Sequence, residues 1–364
     1  MKLRLLICIY FICLLRPVSY CQDSIRCGSW ITTNIHYGFI IPPAGSSTQY
    51  LIKSHVPGVE VDYIKRYVEG ASWNQAYHYP ETGVAFFYAW LGNPSQLGNM
   101  MGVYPFINFH LQRSNSEILY LRLGIGLGYL PVTYDRISNH KDYLIGSHLD
   151  AMINLRLTNH FYLSKNLRLE TGLGLTHCSD GTFKTPNLGI NLVTVNTGLS
   201  YSLSSCKTLV YPFADTIKHK KFDHEFFFAL GSRQIEPPGG NRYYATTMGY
   251  TIFHKMNSKN KLGLGVDFFY NNANTALYHV QYNDSSAFNA WQVGAKICYE
   301  IVLGKVSLPI EVGGYLHTQY TGNGYEYDRI GIRYYACRHV IINLTLLAHA
   351  ASADYIEWGI GFKL

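Results

Sequence analysis

The chain has 364 residues, only 15% of them charged, and it is rich in Tyr, Phe and Gly, with 31, 18 and 33 residues respectively. Its formal net charge is +7, and it falls to +4 when the three basic residues Lys2, Arg4 and Arg16 near the N-terminus are left out. A charge of this size is too small to indicate a nucleic-acid-binding protein. A soluble chain of this length would ordinarily form helix-containing domains, yet the sequence shows almost no amphipathic helical pattern. Its composition suits a protein that presents apolar surface to a medium other than water.

The first 21 residues have the pattern of a secretory signal peptide. Lys2 and Arg4 supply positive charge, and residues 5–15 form an apolar run that is too short to span a membrane. Small Ser19 favours cleavage near the bond between Cys21 and Gln22. Lipid modification of Cys21 is the weaker alternative, because a bulky tyrosine precedes it.

Five cysteines follow this segment, and all of them are widely spaced: Cys27, Cys178, Cys206, Cys298 and Cys337. They form no CxxC motif, and an odd number cannot all pair within one chain. The sequence therefore predicts neither a disulfide framework nor a metal site, and we expect no cofactor.

Apolar residues alternate with polar residues or glycine along most of the remaining chain. In residues 119–129, 167–175 and 262–268 one face carries leucines, and the other carries glycines with scattered charges. A period of two is that of a β-strand with one face in an apolar medium. The glycine-rich face fits the crowded interior of a barrel better than the surface of a soluble sandwich. Runs of about ten residues also match a tilted strand that crosses a bilayer.

The sequence therefore predicts an all-β protein, a transmembrane antiparallel β-barrel of about 14 strands (roughly 12 to 16) in a bacterial outer membrane. No linker is evident, so residues 22–364 are expected to form a single barrel domain. Polar loops are expected at residues 41–57, 131–144, 203–222 and 271–284. The alternation in residues 356–364 continues to the last residue and predicts a final strand that closes the barrel against the first one.

One strand carries polar side chains on its apolar face. Leu173 and Leu175 are followed on that face by His177 and Ser179, which a strand places about 6.5 to 7 Å apart at Cα. A returning antiparallel strand would bring Asn191 beside them. Polar residues are common where a strand leaves the membrane, but a hydroxyl beside an imidazole is also the combination used in nucleophilic catalysis.

The amino-acid sequence of this segment resembles that of the lipid A 3-O-deacylase (PagL-type) family of outer-membrane esterases. The family pattern is His-x-Ser-Asn followed by Asn-x-Gly about ten residues after the His, and His177, Ser179, Asn187 and Gly189 match it. The resemblance covers residues 166–203. It implies that the chain contacts outer membrane lipid and binds lipid A of lipopolysaccharide. From this substrate it would remove an ester-linked acyl chain without a metal. In the implied site Ser179 is the nucleophile and His177 the general base, and Asn187 with main-chain amides near Gly181 holds the oxyanion.

Two positions depart from the family pattern. The residue after the nucleophile is Asp180 instead of Asn, and the acidic third member of the triad falls on Asn191. An Asn can orient an imidazole through its carbonyl oxygen but supports an imidazolium less than a carboxylate does. The third catalytic residue is therefore either Asn191 or a carboxylate such as Asp180.

Lysines near the site could bind the phosphates of lipid A. Lys184 is the main candidate, ahead of Lys218, Lys220 and Lys221, although such lysines more often only solvate a loop. Two other functions stay open at this point: a barrel without catalysis, acting as a channel, structural protein or adhesin, and a secreted soluble β-protein.

Overall fold

The computed structural model describes residues 24–43, 45–67, 72–113, 117–204, 207–210, 222–283, 288–350 and 352–364. The predicted signal peptide, Cys206 and the lysines of residues 218–221 lie outside the described residues.

Antiparallel strands make up most of the described chain. The first group consists of β1 (Ser24–Ile41), β2 (Val56–Arg66), β3 (Glu81–Trp90), β4 (Asn99–Arg113), β5 (Glu117–Tyr129), β6 (Leu149–Tyr162), β7 (Leu167–Ser179), β8 (Ile190–Ser202) and the short β9 (Lys207–Val210). The second consists of β10 (Phe222–Gln234), β11 (Arg242–Lys255), β12 (Asn260–Asn271), β13 (Trp291–Leu303), β14 (Val306–His317), β15 (Glu326–Tyr335), β16 (Val340–His349) and β17 (Ser352–Lys363).

Among the residues that the structure describes, helical structure is limited to three short segments. A 3₁₀ turn covers Thr48–Leu51, α1 covers Ser72–Ala76 and α2 covers Asn272–Tyr282. The helix α2 occupies most of the loop predicted at residues 271–284. It forms there because Asn271 caps its first turn, its side chain accepting a hydrogen bond from the N–H of Ala273. Within the described ranges, no helix is both long enough and apolar enough to cross a membrane.

The strands close into two barrels of eight strands each. In the first, β1 pairs with both β2 and β8, and β9 adds to the N-terminal end of β1; in the second, β10 pairs with both β11 and β17. The single barrel predicted over residues 22–364 is thereby corrected to two, and their 16 strands lie at the upper end of the predicted range. The last strand closes against β10 instead of the first strand, since eight strands already suffice to remove every open edge.

The outer walls of both barrels are apolar, as predicted. Leu173 is 44% exposed and Val195 53% exposed in the first barrel, and Leu264 is 67% exposed in the second. Such continuous apolar exposure would be unfavourable in water, whereas hydrocarbon accommodates it. The leucine-bearing faces therefore point to lipid.

The interior of the first barrel is filled with paired charges. Glu60 accepts hydrogen bonds from Arg156 at 2.6 Å and from Arg122 at 3.1 Å. Glu81 accepts from Arg66 at 2.7 Å and from Arg168 at 2.8 Å. All of these side chains are buried. Pairing is what makes buried charges tolerable, and the network accounts for the scattered charges on the glycine-bearing faces.

The second barrel has an equivalent interior. The guanidinium of Arg329 donates to Asp267 at 2.9 Å, to Glu311 at 2.5 Å and to Glu357 at 2.6 Å. Glycine leaves room for large side chains beside this network: a Cβ on Gly313 would lie only 2.2 Å from the ring of Tyr327. The predicted crowded interior is thus present in both barrels.

The two barrels share the same orientation. The connections β1–β2, β3–β4, β5–β6 and β7–β8 of the first barrel and the connections β10–β11, β12–β13, β14–β15 and β16–β17 of the second form what we call the loop rim. The N–H of Gln234 donates to the carbonyl of Thr182 at 2.9 Å across this rim. At the opposite rim, the Tyr77 hydroxyl donates to the carbonyl of Lys259 at 3.2 Å. The barrels therefore touch at both ends.

Candidate active site

The polar pair of β7 lies at the loop rim of the first barrel. His177 and Ser179 are half-buried on the outer face, in line with Leu173 and Leu175, whereas Cys178 between them points inward and is buried. The strand period alone produces this arrangement. An imidazole and a hydroxyl therefore stand where the lipid-facing wall reaches the membrane surface.

Asn191 lies directly opposite His177 on the neighbouring strand β8. The two side chains are hydrogen-bonded, with 2.8 Å between Nδ1 of His177 and Oδ1 of Asn191. An amide oxygen can only accept, so Nδ1 carries a proton, and in the neutral imidazole Nε2 is then the nitrogen with the lone pair. The ring nitrogen that a general base needs is thus left free.

Asp180 has a different environment from Asn191. Its carboxylate is buried and accepts a hydrogen bond from the N–H of Lys184 at 3.0 Å, within the β7–β8 loop. Burial raises the pKa of this carboxyl above its ordinary value. Asp180 therefore organises the loop, and of the two candidates for the third triad member it is Asn191 that contacts the imidazole.

Asn187 presents an unused hydrogen-bond donor. Its Oδ1 accepts from the N–H of Asp180 at 3.3 Å, which fixes the orientation of the amide. Its Nδ2 is buried and has no partner among the described residues. A buried donor without a partner is costly, and this atom is available to an incoming negative oxygen.

Gly189 brings the loop close to both members of the pair. Its φ is +77°, and a Cβ there would lie 2.9 Å from Cε1 of His177 and 3.3 Å from Cβ of Ser179. Only glycine combines this conformation with such a close approach. The family pattern contains this glycine, and the structure gives the physical reason for it.

A segment of the β5–β6 connection supports the β7–β8 loop, and the sequence pattern does not predict this support. The N–H of Gly189 donates to the carbonyl of Leu144 at 2.9 Å, and the N–H of Leu188 donates to that of Tyr143 at 3.3 Å. Asp142 holds this segment by accepting from the N–H of Leu144 at 3.1 Å. No local sequence signal marks these contacts, since they join residues some 45 positions apart.

The other two predicted site residues, Lys184 and Gly181, lie in the β7–β8 loop. Lys184 is exposed at the surface of the β7–β8 loop. Gly181 has φ +63° and faces the second barrel, where Ile356 and Leu346 occupy the space that a side chain would need. Within the described chain, no hydrogen bond joins Ser179 to His177; such bonds often form only once a substrate is bound.

Closed antiparallel barrels with apolar outer walls define an outer-membrane β-barrel protein. The imidazole, hydroxyl and amide of His177, Ser179 and Asn191 on one wall are a combination that nucleophilic catalysis uses. Comparison with protein families identifies the family. The family described as lipid A 3-O-deacylase (PagL) matches residues 59–200, and the family described as acyloxyacyl hydrolase, C-terminal domain, matches residues 222–364. Together they cover most of the chain, which belongs to the lipid A 3-O-deacylase family.

Solved structures with a similar fold are distant. Neisserial surface protein A has 10% sequence identity and a TM-score of 0.35, over 49% of this chain and 99% of that one. The outer membrane protein Omp33 of Acinetobacter baumannii has 8% identity and a TM-score of 0.18, over 94% of this chain and all of its own. No curated protein matches the sequence. Similarities of this size add nothing to what the strand register shows.

Family membership assigns the activity class and the location. The protein is an ester hydrolase of the bacterial outer membrane, and its family acts on lipid A of lipopolysaccharide. A barrel without catalysis is accordingly not favoured, and the apolar outer walls disfavour a secreted soluble protein.

Proposed function

We propose that the chain is a serine esterase that removes an ester-linked acyl chain from lipid A, with Ser179, His177 and Asn191 as its catalytic residues. The Ser179 hydroxyl attacks the ester carbonyl, and Nε2 of His177 takes the hydroxyl proton. Asn191 selects the tautomer of the neutral ring in which Nε2 has the lone pair, and it holds the ring in place through the 2.8 Å contact at Nδ1.

The oxyanion of the tetrahedral intermediate needs donors that are already in place. Asn187 supplies Nδ2, which is buried and unpartnered, and main-chain amides near Gly181 are the second source. When the intermediate collapses, His177 returns the proton to the departing sugar oxygen, leaving an acyl-Ser179 ester. A water molecule then repeats the sequence and releases the fatty acid, so no step calls for a metal.

The location of the pair carries this proposal. Its side chains follow the exposed leucines of β7 at the loop rim, where an acyl ester at the hydrocarbon boundary of lipid A would meet them. Lys184 is exposed on the adjacent loop, and we assign it to a phosphate of the same lipid.

The test is a deacylation assay with the full-length protein in detergent. Mass spectrometry of lipid A should show the loss of one acyl chain with the wild type and none with Ser179→Ala. Cys178→Ser is the matched control, because Cys178 adjoins the nucleophile but points into the barrel, so this variant should stay active. An unmodified substrate with the wild type, or full activity of Ser179→Ala, would contradict the proposal.

A further inference from the structure

The second barrel holds the loop that completes the site of the first. Gln234, the last residue of β10, contacts the β7–β8 loop at two points. Its Oε1 accepts from the N–H of Thr185 at 2.9 Å and from the Thr185 hydroxyl at 3.3 Å, and its own N–H donates to the carbonyl of Thr182 at 2.9 Å. One residue of the second barrel thus fixes both ends of the segment 182–185.

Gln234 is itself held in place. Its Nε2 donates to the carbonyl of Gly240 at 2.6 Å, across the β10–β11 connection. The neighbouring Arg233 pairs with the buried Asp354, whose main-chain carbonyl accepts from the Thr182 hydroxyl. The contact to the loop therefore starts from an ordered part of the second barrel.

Apolar and aromatic contacts surround these hydrogen bonds. Leu346 and Ile356, on the outer wall of the second barrel, fill the space beside Gly181. The guanidinium of Arg242 lies 3.7 Å from the ring centre of Phe183, a cation–π distance. The loop thus packs against the second barrel over residues 181–185, immediately after the nucleophile.

The held segment leads directly into the proposed oxyanion donor. Asn187 lies two residues beyond Thr185, and its amide bonds back to the N–H of Asp180. On its other side the loop packs on the first barrel, where the carbonyl of Pro186 would lie 2.6 Å from a Cβ on Gly146. A shift of residues 182–185 would therefore displace Nδ2 of Asn187 from the carbonyl that Ser179 attacks.

We propose that Gln234 is a positioning residue for deacylation: the second barrel uses it to hold the β7–β8 loop, and with it Asn187, in the reactive geometry. This inference rests on the proposed function. It gives the second barrel a part in a reaction whose reacting groups all lie on the first.

The test uses three variants of the full-length protein in detergent, assayed on lipid A. Gln234→Met keeps the size of the side chain but removes the acceptor for Thr185, and we expect kcat to fall about ten- to a hundredfold with KM little changed, since small misplacements of catalytic groups have such effects. Gln234→Glu keeps the acceptor for Thr185 but loses the donor to Gly240, so it should lower kcat less than Gln234→Met does. Tyr77→Phe removes the inter-barrel hydrogen bond at the opposite rim and should leave both constants unchanged.

Ser179→Ala separates this inference from the proposed function. If Ser179→Ala is inactive while Gln234→Met has wild-type kcat, the inference is overturned and the esterase stands. Equal losses in Gln234→Met and Tyr77→Phe would also overturn it, because they would indicate only a general need for the two barrels to stay together. If Ser179→Ala is active, the proposed function itself fails.

Discussion

The last hairpins of the two barrels occupy the same place in the strand order but have different surroundings. In the first barrel, residues 180–189 separate β7 from β8, whereas only residues 350 and 351 separate β16 from β17 in the second. The long connection carries Asn187 and Gly189. The outer wall beside the short one stays apolar at Leu346 and Ile356, which pack against Gly181. The β7–β8 hairpin therefore carries the proposed catalytic groups on the lipid-facing wall, and the β16–β17 hairpin packs against it and supports it.

Each hairpin also has a histidine close to the end of its first strand, and the two point in opposite directions. His177 lies on the outer wall beside Asn191. His349 faces the interior, where its Nε2 lies 2.9 Å from the hydroxyl of Tyr315 and its Nδ1 lies 3.8 Å from Asp354. Because neighbouring residues of a strand face opposite sides, the position of a residue along the strand decides whether an imidazole meets lipid or the interior.

Removing each histidine in turn is the strongest test of this contrast. His177→Ala should lower the deacylation rate by about ten-thousandfold, because Ser179 loses its base. His349→Ala should leave the rate unchanged and lower the thermal stability, since it removes a partner of Tyr315. Initial rates of acyl release and unfolding temperatures in detergent measure the two effects. A comparable loss of rate in His349→Ala would show that the interior histidine also takes part.

The next largest effect concerns the long loop. Asn187→Ala removes the unpartnered Nδ2 and should lower kcat by about a hundred- to a thousandfold with little change in KM, as expected for an oxyanion donor. Leu188→Ala changes the exposed neighbour in the same loop and should have little effect. If kcat stayed at the wild-type level in Asn187→Ala, the main-chain amides alone would have to hold the oxyanion.

The second barrel suggests a change that should increase activity. His349 has a carboxylate, Asp354, near its Nδ1, whereas His177 has only the amide of Asn191. Asn191→Asp should raise kcat by about tenfold, because a carboxylate stabilises the imidazolium that forms during the reaction. Asn191→Leu, which removes the acceptor, should lower it. The kcat values of the two variants are compared with that of the wild type at one pH near neutrality. A kcat below the wild-type value in Asn191→Asp would show that the site is adapted to a neutral partner.

The strand pattern and the site pair could be predicted from sequence, whereas the number of barrels could not. Side-chain parity is local, so the outer-wall position of His177 and Ser179 follows from the alternation of β7, and Asn191 follows from the adjacent strand. Closure depends on pairing between strands far apart, such as β1 with β8. The sequence of residues 203–222 predicts only one more loop, and the contact between Gln234 and Thr185 has no local sequence signal.

The smallest expected effect concerns the segment that supports the long loop, a support that the two-residue connection of the second barrel does not need. Burial raises the pKa of Asp142 to about 7, whereas the pKa of this carboxyl in the unfolded chain is about 4. The stability that its protonated form contributes is therefore fully present below about pH 4 and is lost as the pH rises through about 7. Asp142→Asn stays neutral and keeps the acceptor for Leu144. The unfolding temperature of this variant should therefore exceed that of the wild type by a difference that grows between about pH 4 and 7 and reaches a few degrees at pH 8.

Asp135→Asn is the opposite control, because hydrogen bonds from Ser138 lower the pKa of exposed Asp135, so this change should slightly lower the unfolding temperature at pH 8. A constant difference between Asp142→Asn and the wild type across the pH range would mean that the carboxyl does not titrate there.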